Sequence, residues 1–295
     1  ETLVTTVAGS TVAITLLQFL ATMAGNFSWS HLSPTLPKSQ LAAVVVANYA
    51  SNTLANYAIN FGLPLPLYLI AKNLNLVVSA TMNAFLAARL YSKTQVACIV
   101  SVTVGVIATV LLFRRGTPVE DHTQATLWEV AVGVLAVVAS LVAQSFVGMA
   151  QERMFRSHGV GCGPQLLFWT HAAALPLFAP VLASEAAVGQ LWQLATGSTA
   201  VCGYEVPLAA VVFGNLVAGF ACKRAVCRLI AQTDSTTCTM VITLYRLTSM
   251  LVSVLVLSSA RVSPPPVAWL AVAVVFGSSG LFAACPSPKA KVKAA

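Results

Sequence analysis

Long apolar runs separated by short polar connections dominate the chain. Each run has about 20 residues, which is enough for a helix to cross a hydrocarbon core of roughly 30 Å. The pattern therefore predicts a polytopic α-helical membrane protein with nine spans. Their approximate bounds are 3–25, 41–61, 64–88, 94–113, 127–149, 164–183, 206–226, 236–257 and 266–284.

Composition supports a membrane protein and gives no sign of catalysis. Of 295 residues, 58% are hydrophobic and only 8% are charged, whereas soluble domains have about 25% charged residues. The seven cysteines and four histidines are scattered without metal-ligand or disulfide spacing. Phosphate-binding glycine loops are absent from the sequence. We predict no enzyme, no cofactor and no metal site.

The distribution of Lys and Arg predicts the orientation, because short cytosolic loops are enriched in both. If the C-terminal tail is cytosolic, that side has 11 of these residues and the opposite side has Arg114, Arg115 and Arg261. The net charge of +8 then follows from cytosolic loops and needs no nucleic-acid partner. Residue 1 would lie in the lumen, as expected for a ten-helix protein that lacks its first helix.

Two cations, Lys72 and Arg246, lie within apolar runs, about eight and ten residues from the run starts. A cation at the centre of a membrane helix costs about 2.5–3.5 kcal/mol and should face the protein interior. Snorkelling to an interface or a buried ion pair are the alternatives. The depth of both residues favours an interior site for an anionic solute.

An internal repeat links the two halves of the chain. Residues 88–92 and 260–264 are similar at an offset of 172, which also aligns Gly105 with Gly277. The offset covers five helices, so the copies would have inverted topology, and five plus five gives ten helices. We predict an N-terminal repeat at 1–126 that lacks its first helix and a C-terminal repeat at 127–295. Chance similarity between two Val/Ala-rich helices is the alternative.

The segment NYAINFGLPLPL at 56–67, followed by a mid-helix cation, resembles the nucleotide-sugar transporters of the drug/metabolite transporter superfamily. The most similar branch contains the UDP-N-acetylglucosamine and UDP-xylose carriers. The resemblance implies ten helices in two inverted repeats, with a UDP-sugar carried into the lumen of the endoplasmic reticulum or Golgi in exchange for UMP. Further similar segments follow in order: 18–20, 151–152, 168–171 with Pro176, and 243–246.

The chain departs from this family at the residues expected to bind solute. Lys72-Asn73-Leu74-Asn75 replaces an Arg followed by small residues, and Arg246 replaces a Lys. Trp169 stands where Tyr is common. The positive charges remain, but Arg binds phosphate bidentately and Lys acts as a point charge. Phosphate binding is therefore better supported than the identity of the sugar.

Ten residues form the predicted solute site. Lys72 and Arg246 would bind the diphosphate, with Lys223 as a third cation that could instead mark a cytosolic helix end. The rings predicted to stack on or bond to uracil, or alternatively to pack at the interface, are Tyr57, Trp169 and His171. The polar side chains predicted to bond ribose or sugar, or alternatively to join helices, are Asn56, Asn60, Asn75 and Tyr245.

The C-terminal tail predicts the compartment. Lys291 and Lys293 match a dilysine retrieval signal, which a coat protein would recognise and which predicts an endoplasmic reticulum membrane; the Golgi and a plain basic tail are the alternatives. The partners are the bilayer, the UDP-sugar and UMP, with a homodimer left open. Two other functions stay open: export of small neutral metabolites, and a non-transporting scaffold or receptor.

Overall fold

A computed structural model describes residues 10–33, 35–60, 68, 71–114, 126–183, 185–201, 204–252 and 265–285. Almost all of these residues are helical. The α-helices are α1 Thr11–Gly25, α2 Lys38–Asn60, α3 Asn75–Leu86, α4 Lys93–Arg114, α5 Leu127–His158, α6 Gly163–Ala172, α7 Ala179–Leu182, α8 Glu185–Thr196, α9 Leu208–Gln232, α10 Ser235–Val252 and α11 Pro266–Ala284. Short 3-10 helices cover Trp29–His31, Val160–Cys162 and Leu175–Phe178.

Among the residues that the structure describes, four helices are long and apolar enough to cross a membrane, namely α4, α5, α9 and α11, and α1 is a shorter apolar helix. Each of the nine predicted runs coincides with helix in the described residues. The prediction of an all-α membrane protein is confirmed. The number of spans and the inverted repeat remain predictions.

The helix predicted over 164–183 is interrupted. Helix α6 ends at Ala172, a 3-10 helix covers Leu175–Phe178, and α7 follows. Pro176 has no N–H to donate and disfavours an α-helical residue before it, so a continuous α-helix cannot pass through this position undisturbed.

Two helices continue past their predicted ends. Helix α5 extends to His158, where the polar last turns are joined by an ion pair between Glu152 and Arg156 at 2.6 Å. This is an i,i+4 pair, the spacing that stabilises a helix surface. Helix α9 likewise continues to Gln232. Hydrophobicity alone locates an apolar segment and misses polar turns that prolong the helix.

A helix and a hairpin between residues 185 and 207 were not predicted. Strands β1 Ser198–Val201 and β2 Tyr204–Pro207 are antiparallel, with Ser198 opposite Pro207. The preceding helix α8, at 12 residues, is too short to span a membrane. Its Leu194 packs against buried residues of α1 and α9, including Ile14 and Leu208.

The chain divides into two compact units. The first comprises Glu1–Asn56 and Ala150–Gln232, and the second comprises Tyr57–Met149 and Thr233–Ala295. These units are defined by packing, whereas the predicted boundary after residue 126 separates two sequence repeats. The repeat boundary therefore stays a prediction.

Each unit has its own apolar core. In the first unit, Leu16 and Phe19 of α1 pack with Val45 of α2 and with Phe178. In the second unit, one core joins α3, α4, α10 and α11; its buried members include Leu76, Val102, Val106, Leu247 and Val275.

Candidate functional site

The helix that contains Lys72 is interrupted within its apolar run. Residues 71–73 are helical, Leu74 forms a turn, and α3 begins at Asn75. The Leu74 N–H donates to the Ala71 carbonyl at 3.0 Å, a three-residue spacing that tightens the chain locally. A local departure from α-helical hydrogen bonding is tolerated in a membrane where neighbouring groups satisfy the backbone.

Arg246 supplies such a group. Its Nη1 donates a hydrogen bond to the carbonyl oxygen of Lys72 at 3.2 Å. The Lys72 Nζ in turn donates to Ser140 Oγ of α5 at 3.1 Å and lies 5.7 Å from the ring centroid of Tyr68. We call Tyr68, Lys72, Ser140 and Arg246 the Lys72 cluster.

The Lys72 cluster brings two formal positive charges together inside the second unit. Both side chains are only partly exposed. Like charges repel more strongly in a low-dielectric interior than in water. An anion placed against both cations would relieve this repulsion.

The first unit contains a second cationic cluster. Lys223 Nζ donates to Thr22 Oγ1 at 3.0 Å and lies 5.5 Å from the Phe19 ring centroid. The Phe19 ring is 4.7 Å from the His171 ring. We call Phe19, Thr22, His171 and Lys223 the Lys223 cluster. Since α9 continues to Gln232, Lys223 does not mark a helix end.

Helix periodicity places Lys223 towards α1. Asn215, Gly219 and Lys223 follow one another at four-residue spacing on α9, so they share a face. Asn215 Oδ1 accepts from Gln18 Nε2 at 2.8 Å, and a Cβ built on Gly219 would lie 3.9 Å from the same nitrogen. A polar seam thus joins α1 and α9 beside the Lys223 cluster.

His171 is held in a defined orientation. Its side chain is buried and its Nδ1 lies 2.8 Å from the Leu167 carbonyl oxygen. Because a carbonyl only accepts, Nδ1 is the donor, and Nε2 is an acceptor whenever the ring is neutral. An acceptor of this kind suits an N–H such as that of a pyrimidine base.

The structure shows the hydrogen bonding of three other residues of the predicted site. The Trp169 indole N–H donates to the His31 carbonyl oxygen at 2.7 Å. Because this donor is already used, a solute could contact Trp169 only through its ring face. Asn56 Nδ2 donates to Thr15 Oγ1 at 3.0 Å, a bond that joins α2 to α1. Asn75 is buried, and its Oδ1 has no hydrogen-bond partner among the described residues.

The remaining predicted residues are at the surface or outside the description. Tyr57 is 50% exposed and Tyr245 is 62% exposed. The Asn60 side chain, Lys291 and Lys293 lie outside the described residues. The structure thus joins Lys72 with Arg246, and Lys223 with His171, each pair within its own unit.

Sequence reasoning did not single out Ser140, Thr22 or Tyr68. A hydroxyl in an apolar helix usually bonds a carbonyl one turn earlier, as Thr103 does to Ile99. Nothing in the sequence distinguishes such a residue from one that also receives a lysine ammonium. Within the described ranges, no group of three or more His, Cys, Asp or Glu residues is arranged to hold a metal ion.

The long apolar helices and the cations within them define a polytopic membrane protein with polar sites among its helices. The UAA transporter family matches residues 1–285, and the chain belongs to this family. Its members are transporters, which confirms the prediction that the chain is not an enzyme.

Several relatives of this chain are named as nucleotide-sugar transporters. The UDP-N-acetylglucosamine transporter yea4 of Schizosaccharomyces pombe is 26% identical, covering 97% of this chain and 90% of the relative. The UDP-xylose and UDP-N-acetylglucosamine transporter of Danio rerio is 25% identical, covering 82% and 74%. The endoplasmic reticulum GDP-fucose transporter of Drosophila melanogaster is 26% identical, covering 75% and 67%.

A solved crystal structure has a similar fold. It matches with a TM-score of 0.52 and 16% identity, covering 95% of this chain and 91% of the other. At this identity the match supports the helical fold alone.

Proposed function

We propose that this transporter exchanges a UDP-sugar for UMP, moving the sugar nucleotide from the cytosol into the lumen. UDP-N-acetylglucosamine is the first candidate and UDP-xylose the second. Both names belong to relatives that are 25–26% identical. The family and the departures from its usual residues are compatible with either sugar.

One observation carries the proposal: Lys72 and Arg246 meet at an interrupted helix, with Arg246 bonded to the Lys72 carbonyl at 3.2 Å. A nucleotide-sugar diphosphate has about two negative charges, which need cations once water is excluded. The Arg246 guanidinium offers a planar set of donors and the Lys72 ammonium a point charge. Together they suit a diphosphate better than a neutral metabolite.

The Lys223 cluster, within the first unit, has groups that also suit a nucleotide. Lys223 offers an ammonium, and the Phe19 and His171 rings lie beside it. We assign His171 to uracil recognition and Lys223 to a phosphate, with Tyr57 and Trp169 as further ring candidates. Asn56, Asn60, Asn75 and Tyr245 stay proposed partners of ribose and sugar.

Counterflow in proteoliposomes tests the proposal. Vesicles preloaded with UMP should take up labelled UDP-N-acetylglucosamine, and Arg246→Ala should abolish uptake. Arg153→Ala is the matched control, because this exposed arginine of α5 belongs to neither cluster. Equal uptake by the Arg246→Ala protein and the parent would refute the role of Arg246.

A solute panel distinguishes the remaining functions. UDP-N-acetylglucosamine, UDP-xylose, GDP-fucose and a CMP-sugar should be compared in the same vesicles, since one relative is named for GDP-fucose. Counterflow of neutral metabolites alone would favour an exporter. A chain that exchanges no solute would be a scaffold or receptor.

We propose an endoplasmic reticulum location, with recognition of Lys291 and Lys293 by a coat protein. Replacing both lysines with serine in a fluorescently tagged chain should shift the protein from the endoplasmic reticulum to the Golgi. An unchanged distribution would show that these lysines are not a retrieval signal. Co-localisation of the parent protein with Golgi markers would then test the Golgi alternative.

A further inference from the structure

Ser140 lies in the middle of α5, in an otherwise apolar stretch, and is completely buried. Its Oγ accepts the hydrogen bond from Lys72 Nζ at 3.1 Å. The neighbouring Val137 and Leu141 of the same helix pack in one buried cluster with Ala71. The main chain that bears Ser140 is therefore fixed against the main chain that bears Lys72.

Lysine needs such support because its ammonium is carried on a flexible four-carbon stem. The Tyr68 ring contacts the ammonium at 5.7 Å from its centroid, within the range of a cation–π interaction. Ser140 and Tyr68 thus restrict where the charge lies. An ammonium has three N–H donors, and Ser140 Oγ accepts one of them.

We propose that Ser140 is a positioning residue that holds the Lys72 ammonium ready to bind a diphosphate; the inference rests on the proposed function. Ordering a long side chain during binding weakens affinity, so a side chain ordered beforehand binds its anion more tightly. An arginine guanidinium has its donors fixed in a plane, whereas a lysine ammonium is flexible. Ser140 would supply part of the missing order by holding the Lys72 ammonium in place.

A double-mutant cycle tests this role through the KM for UDP-N-acetylglucosamine. Ser140→Ala should raise KM about tenfold with little change in maximal rate, since a hydrogen bond to a charged group is lost. Ser140→Thr, which keeps the hydroxyl, should restore most of the affinity. In a Lys72→Met background, Ser140→Ala should change KM less than twofold, because there is no ammonium left to position.

Ser145→Ala is the matched control. Ser145 is a buried serine of the same helix, and its Oγ has no hydrogen-bond partner among the described residues. Its replacement should leave KM unchanged. Detergent gel filtration and thermal melting should show that each variant is folded, and Ser140→Cys provides a second replacement if Ser140→Ala is not.

Equal effects of Ser140→Ala in both backgrounds would overturn the inference, because they would show a role independent of Lys72. An unchanged KM in Lys72→Met would remove Lys72 from the site and overturn it as well. The same cycle measured as calorimetric binding of pyrophosphate separates the two proposals. Pyrophosphate binding that depends on Ser140 only when Lys72 is present, in a chain that exchanges no UDP-sugar, would uphold the inference and refute the proposed function.

Discussion

Arg246 donates from Nη1 to the carbonyl oxygen of Lys72 at 3.2 Å, so one proposed phosphate-binding cation holds the main chain of the other. The bond lies where the helix before α3 is interrupted at Leu74. Arg246 can therefore act in two ways, by stabilising the interruption and by attracting an anion. These two roles respond differently to substitution.

Replacing Arg246 with Gln should separate its effect on stability from its effect on anion binding. A Gln amide can still donate to a carbonyl but has no charge, so thermal stability in detergent should remain near that of the parent. Affinity for UDP-N-acetylglucosamine should fall by tenfold or more, since a charged hydrogen bond contributes about 1.5–3 kcal/mol. Arg246→Lys should keep part of the affinity. If Gln binds the solute as tightly as Arg, the charge has no part in binding.

Thr22 should stabilise the protein through Lys223. Thr22→Val removes the acceptor of the bond from Lys223 Nζ, measured at 3.0 Å. Leaving an ammonium without this acceptor in an apolar setting should lower the free energy of unfolding in detergent micelles by about 1–3 kcal/mol. Solute affinity should fall as well if Lys223 belongs to the site.

Thr103→Val is the control for Thr22→Val. Both threonines are buried and donate to the carbonyl one helical turn earlier, but Thr22 Oγ1 also accepts the hydrogen bond from the Lys223 ammonium. The control should lower the free energy of unfolding by less than Thr22→Val. Equal losses would show that the local helix bond, and not Lys223, explains the effect.

The sequence predicts the helices and singles out Lys72 and Arg246 for a common reason. A membrane requires about 20 apolar residues in each span, so spans are visible without knowledge of their contacts. Lys72 and Arg246 stand out because a charge in such a run has few tolerated locations. Arg246 is bonded to the carbonyl oxygen of Lys72, as expected if both charges face the protein interior.

The sequence does not predict what depends on local geometry or on distant partners. The hairpin at Ser198–Pro207 is short and lacks a long alternating pattern. Ser140 and Thr22 look like any hydroxyl in an apolar helix until Lys72 and Lys223 are placed against them. Their roles follow from pairings 68 and 201 residues apart in the chain.

Gly105 should be required for the packing of α4 against α11. A Cβ built on Gly105 would lie 2.7 Å from Val275 Cγ2 and 3.4 Å from the Ala271 carbonyl oxygen. Small residues let membrane helices approach this closely. Gly105→Ala should therefore lower the free energy of unfolding by about 1–3 kcal/mol through overpacking.

Gly277 offers a control on the partner helix. A Cβ on Gly277 meets no described atom within 4 Å, so Gly277→Ala should leave stability unchanged or raise it slightly through helix propensity. Chemical unfolding of both variants in the same micelles makes the comparison. Equal stability of the two proteins would contradict the close approach at Gly105.

Asp234 joins the start of α10 to Arg89, which follows the end of α3. Its Oδ1 accepts from the Thr237 N–H at 2.8 Å, which caps the helix, and the same oxygen lies 3.5 Å from Arg89 Nη1. The buried Asn83 at the end of α3 also donates to Thr236 Oγ1 at 3.1 Å. Capping and ion pairing thus coincide on one carboxylate.

Asp234→Asn and Asp234→Ala should distinguish these contributions. Asn caps helices about as well as Asp, so the Asn variant should lose only the ion pair, which contributes about 0–1 kcal/mol when partly exposed. The Ala variant should lose the cap as well, lowering the free energy of unfolding by about 1 kcal/mol more. Arg89→Gln should also lower the free energy of unfolding, because it removes the same pair and keeps the cap. An Asn variant as unstable as the Ala variant would show that the Arg89 pair, and not the cap, fixes the start of α10.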